Sequence, residues 1–161
     1  MRTLDKFYSL LNDNDPFKNI DTDIEVWRKV EEIIGVTRQI DDKEVDTELI
    51  ATEKLLLRTL ISYITEYQPR EMWNFTTICD LLRAHSMPSS NLIKYNSALT
   101  EIIVTLENSS AFCVEQFVAA QMSSKFQDAV VCLLNRLTVL EVLEKETRKQ
   151  QDFNEAKIIM E

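Results

Sequence analysis

The chain of 161 residues contains a single glycine, Gly35, and three prolines, Pro16, Pro69 and Pro88. Globular proteins carry about 7% glycine on average. Glycine supplies the positive-φ positions of tight hairpins and the close backbone approach of phosphate-cradling loops. One glycine leaves a chain poor in hairpins, and neither GxxxxGK[ST] nor GxGxxG can be written with it. Apolar residues make up 45% of the chain, and the length suits one domain around one core. No apolar run approaches the ~18 residues of a membrane-spanning helix. Met1 to Lys6 carry mixed charge and lead into no apolar signal segment. Cys79, Cys113 and Cys132 are odd in number and sit far apart in apolar stretches. They read as buried free thiols in a reducing compartment, and the expectation is a cytoplasmic protein.

Hydrophobic spacing then divides the chain into helices. Leu4, Phe7, Tyr8, Leu10 and Leu11 form a short stripe that Asn12–Pro16 breaks, with Phe17 and Ile20 as anchors in an ordered turn. Thr22-Asp23-Ile24-Glu25 has the form of a capping box. Behind it, Ile24, Trp27, Val30, Ile33 and Ile34 make a buried stripe, and Gly35 closes the helix as a left-handed C′ residue. Residues 36–46 read as an exposed acidic connection. A long central helix runs from about Asp46 to Tyr67 and stops at Gln68-Pro69. A short helix capped by Asn74 or Thr76 follows, then a loop from His85 to Ser90. Further helices are expected over Asn91–Leu106 and Ala111–Gln121, the latter capped by Asn108–Ser110 and burying Phe112, Val114, Phe117 and Val118. The last begins at Ser123-Ser124 and runs through Glu146 or beyond. The fold expected is all-α, an irregular bundle of about seven or eight helices in one domain over 1–161. Its core is 15–147, with 1–14 and 148–161 as stubs or flexible ends.

Net charge is −9 and is unevenly placed. Residues 1–53 hold 14 acidic and 7 basic residues, 54–140 hold 7 of each, and 141–161 hold 6 and 4. An acidic balance disfavours non-specific duplex binding and suits a basic protein partner. The densest acidic run, Asp41, Asp42, Glu44, Asp46 and Glu48, is the candidate partner-binding surface. Against that stands a plainer role, because carboxylates near a helix start also favour its dipole.

Catalytic chemistry finds few residues to rest on. His85 is the only histidine, so a zinc site or a nucleophile–histidine pair would have to be built around it alone. It reads as an ordinary exposed loop histidine. No Glu-x-x-His pair of a carboxylate-bridged metal bundle occurs. Basic residues interleaved with aromatics are absent, and Trp73 beside Phe75 reads as a core contact rather than a stacking platform. The expectation is a non-enzyme with no catalytic, metal or cofactor residues.

Four segments carry a resemblance. Asp15-Pro16-Phe17-Lys18-Asn19-Ile20 with the Trp27 helix, Glu53 to Ile64, Asn74 to Leu82, and Ser123 to Val130 followed by Leu133, Leu134 and Leu137 resemble the all-α domain of type IV secretion coupling proteins, the TraG-like conjugation ATPases. The similarity lies in apolar and turn positions. It implies a cytoplasmic module that selects relaxase and relaxosome accessory proteins, with weak single-stranded DNA binding. The motor and its P-loop would lie outside this chain, and any oligomer would form only through that motor. A free-standing helical adaptor acting by protein–protein contact is the alternative.

Overall fold

Residues 3–12, 15–38, 46–91, 94–107 and 111–160 are described by the computed structural model. Seven α-helices follow one another along them: α1 (Thr3–Leu11), α2 (Asp23–Thr37), α3 (Thr47–Tyr67), α4 (Phe75–Arg83), α5 (Ala98–Val104), α6 (Phe112–Gln121) and α7 (Phe126–Met160). Short 3-10 turns at Arg70–Met72 and Ala84–Ser86 flank α4, and no strand occurs among the described residues. The architecture is an all-α bundle.

The bundle is organised around α3. Leu56, Leu57, Leu60, Ile61 and Ile64 are fully buried, and α2, α4, α6 and α7 all pack on this helix. A helix apolar around most of its circumference belongs in the middle of a fold. Helix starts are set by side chains. Thr22, Asp46, Asn74 and Ser97 each accept a hydrogen bond from the backbone amide three residues on. Thr22 and Glu25 complete the capping box, with the Glu25 carboxylate accepting from the Asp21 amide at 3.1 Å. Asparagine takes the left-handed positions a glycine would otherwise occupy, at Asn12 (φ 45°) and Asn19 (φ 66°). Phe17 and Ile20 are the expected anchors, and Phe17 packs on Phe75 with ring centroids 5.1 Å apart.

Several local expectations are overturned by tertiary contacts. Gly35 does not end α2; the helix runs on to Thr37 and Gly35 lacks a positive φ. The extra turn is held because Thr37 is buried and accepts from Arg136 on α7, while Val36 packs on the core. So residues 36 and 37 are not part of an exposed connection. Gly35 is therefore a helix-interior glycine with nothing within 4 Å of an added Cβ. Gly35→Ala is expected to stabilise the domain by about 0.5–1 kcal/mol in chemical denaturation; a loss of stability would show that the glycine has a conformational duty.

The α2 stripe is also rotated from its expected position. Val26, Val30, Ile33 and Ile34 are buried, whereas Ile24 is 65% and Trp27 44% exposed. Trp27 remains outside because the Arg58 guanidinium stacks on its ring, 3.3 Å from the centroid. The helix expected from Asn91 begins only at Ala98, where Ser97 caps the Thr100 amide and the Ala98 amide donates to the Met87 carbonyl. Val118 is exposed, and Cys132 is half-buried while Cys79 and Cys113 are buried. His85 is half-buried rather than exposed, edge-on to Phe126 at 5.3 Å and bonded to Gln127. In α1, Leu10 and Leu11 lie in the core, and α7 continues unbroken to Met160. The proposed caps at 108–110 and Leu92 lie outside the described residues.

Candidate functional site

Asp41, Asp42 and Glu44 of the acidic run lie outside the described residues. Asp46 and Glu48 are within them; both are exposed at the surface, and each is bonded to another part of the chain. Asp46 caps the Leu49 amide at 3.0 Å and pairs with Lys125 at 3.2 Å. The Leu49 amide, with Lys125 beside it, holds the Asp46 carboxyl below the usual carboxylate range. Glu48 accepts from the Ser124 hydroxyl at 3.1 Å, and Thr52 bonds Ser123 at 2.7 Å. Together they pin the turn between α6 and α7 onto the start of α3.

Buried carboxylates are a usual mark of a functional centre, and three occur among the described residues. Each is fully partnered. Glu53 on α3 receives both arms of Arg136 at 3.0 and 3.1 Å. Glu141 on α7 receives both arms of Arg83 at 2.6 and 2.9 Å, and that pairing holds its carboxyl low. Glu144, fully buried, reaches the start of α4 and accepts from the Phe75 amide, the Thr76 amide and the Thr76 hydroxyl at 2.9, 3.0 and 2.7 Å. These groups lock α7 to α2, α3 and α4. Burial pushes the Cys79 thiol up to about 12 and the Cys113 thiol up to about 11, which leaves both poor nucleophiles. Among the described residues no three His, Cys, Asp or Glu side chains gather as a metal site.

The arrangement with open capacity lies at the other end of α3. A cleft of about 320 Å³ opens between the start of α2, the last two turns of α3 and Trp73. Asp21 and Asp23 line one wall, Glu66 and Thr65 the other, and no lysine or arginine lines it. The three carboxylates form no ion pair among the described residues. Glu66 sits in the last turn of α3, which has no basic residue, so its charge adds to the negative end of the helix dipole. The Asp21 amide and the Thr22 hydroxyl are already bonded to Glu25, so α2 offers the cleft little to attract an anion. Ser62 lines the cleft floor. It is only 4% exposed and its hydroxyl makes no hydrogen bond within the described residues.

Trp73 is held in place by its indole N–H, which donates to the Gln68 carbonyl at 3.0 Å. The ring is half-buried, packed on the core by one side and bordering the cleft by another. It is thus a core contact, as expected, and a cleft wall as well. A second cleft that Trp73 also lines holds Asp15, Arg70, Glu71 and Arg148, mixed in sign, with Arg70 paired to Asp15 at 3.1 Å and lying over the Trp73 ring at 5.1 Å. The first cleft presents one sign of charge beside the edge of Trp73, the Ser62 hydroxyl and the C-terminal end of α3. These groups suit a lysine ammonium or arginine guanidinium.

Sequence reading missed this site because its walls are 43 residues apart, from Asp23 to Glu66. One local signal pointed to it: an acid in the last turn of a long helix, where a base is favoured. No family model, curated protein or solved structure matches the chain.

Proposed function

We propose that this chain is a recognition module that takes a cationic side chain of a basic protein partner into the Asp21–Asp23–Glu66 cleft. The role is binding rather than catalysis. The observation that carries it is the gathering of three carboxylates, without ion pairs among the described residues, around one cleft at the negative end of α3. Trp73 borders the cleft but its ring already carries the Arg70 guanidinium, 5.1 Å from the centroid, so the attraction rests on the carboxylates, and Ser62 supplies a hydroxyl acceptor at the floor. In the form suggested by the coupling-protein resemblance, the partner is a relaxase or a relaxosome accessory protein at the cytoplasmic face of a conjugative secretion system. Single-stranded DNA is then at most a weak, salt-sensitive ligand. A free-standing helical adaptor would use the same cleft; a P-loop sequence flanking this segment in its gene decides for the coupling protein, and its absence for the adaptor.

Titration of the full chain with an arginine- and lysine-rich peptide, followed by Trp fluorescence, tests the cleft. Binding is expected to weaken with salt. Glu66→Gln is expected to weaken it further while raising stability by about 0.3–1 kcal/mol, because the same carboxylate opposes the α3 dipole. Asp21→Lys with Asp23→Lys is expected to abolish binding with the helical circular dichroism intact. An unchanged dissociation constant in both variants would remove the cleft from the proposal. Titration with a relaxase then decides its partner.

A further inference from the structure

The 35 residues of α7 bury one face against the domain, through Leu133, Leu137, Leu140 and Glu144. The opposite face is unpartnered among the described residues and has a regular order. Val139, Val142, Glu146, Lys149, Phe153 and Ala156 are all exposed and follow one another at spacings of three, four, three, four and three residues. This alternation keeps them on one stripe about 26 Å long, and it is the repeat of a helix-pairing seam. Met160, 87% exposed, continues the stripe by four residues at one end, and Asn135, also exposed, by four at the other.

We propose that this face of α7 is the docking site for a second copy of the same chain, packed antiparallel about a two-fold axis that crosses the helix between Thr147 and Arg148. The spacing of the stripe reads the same from either end, which is what a self-complementary two-fold contact requires. In this register Val142 meets Phe153 of the second copy, and Val139 meets Ala156. Glu146 meets Lys149. Each of these contacts occurs twice. A parallel, in-register pair would instead set Glu146 against Glu146 and Lys149 against Lys149, and like charges in a seam are strongly disfavoured. Within one chain Glu146 and Lys149 are 3.9 Å apart and well exposed, a contact of little value by itself. A charged pair in the seam lowers pairing strength but sets register and direction. The surface does not involve the acidic cleft, and it departs from the expectation that oligomers form only through an absent motor.

Sedimentation of the full chain tests the proposal. A concentration-dependent dimer is expected, and Val142→Asp should return it to monomer with unchanged circular dichroism. Glu146→Lys alone and Lys149→Glu alone should each weaken self-association by at least about tenfold. An equimolar mixture of the two, or the double reversal in one chain, should restore it. In a Cys132→Ser background, Val142→Cys chains should form disulfides with Phe153→Cys chains and not with one another. A wild-type chain monomeric up to roughly 1 mM, or charge reversals without effect on a dimer, would overturn the seam. Disulfides between Val142→Cys chains would overturn the antiparallel register.

Discussion

Replacing Glu53 with alanine is expected to destabilise the domain by about 3–5 kcal/mol, a large part of the roughly 5–15 kcal/mol that holds a domain together. The Glu53 side chain is 1% exposed and that of Arg136 14%, with two hydrogen bonds between them. Removing the carboxylate leaves a guanidinium between α2, α3 and α7 with only the Thr37 hydroxyl, at 3.4 Å, for company. The cost is that of a stranded charge more than of a lost attraction. The double replacement Glu53→Leu with Arg136→Met is therefore expected to recover most of the stability, since well-packed apolar residues replace buried ion pairs at little net cost. Urea denaturation of the two singles and the double gives the coupling energy. A loss below about 1 kcal/mol for Glu53→Ala would show that Arg136 finds water when its partner is gone.

Glu144→Ala is expected to cost about 3 kcal/mol. The first turn of α4 has three amides that no helix carbonyl can reach, and the structure accounts for each one. Phe75 and Thr76 donate to Glu144, and Thr77 donates to Asn74 at 2.8 Å. The carboxylate also places negative charge at the positive end of the helix dipole. Asn74→Ala removes one neutral cap and is expected to cost about 1 kcal/mol. Glu144→Gln keeps an acceptor in place and is expected to fall between the two. Denaturation midpoints order the three variants, and faster amide exchange at Phe75 and Thr76 locates the damage. If Glu144→Ala costs no more than Asn74→Ala, the tertiary cap adds nothing beyond an ordinary one.

Both predictions concern residues that no sequence pattern singles out. Glu53, Glu141 and Glu144 look like solvated acids on amphipathic helices, and nothing local separates them from Glu146 or Glu155. Their partners lie 58 to 83 residues away in the chain. Chemistry that is local was legible in advance. The capping box at Thr22, the Asn74 cap, the stop at Gln68-Pro69 and the apolar breadth of α3 are short-range matters of hydrogen bonding and spacing. Legibility failed at Trp27 and Gly35, where two competent local readings existed. An apolar ring at helical spacing reads as core until an arginine from another helix covers it. A glycine after two isoleucines reads as a helix end until the next turn finds a partner.

The candidate site divides in the same way. Acidity follows from composition, which needs no geometry. The part of that acidity which faces a cleft depends on how α2 lies against the end of α3, and this brings Asp21 and Asp23 opposite Glu66. Asp46 and Glu48, equally acidic in sequence, are drawn into internal contacts with Lys125 and Ser124. The sequence alone therefore determined helix type, most helix starts and the absence of glycine-built phosphate loops, because backbone sterics and capping act within a few residues. The tertiary structure alone decided which charges are sealed, which remain free and which face of α7 is bare, because burial and pairing depend on neighbours that the chain supplies from far away.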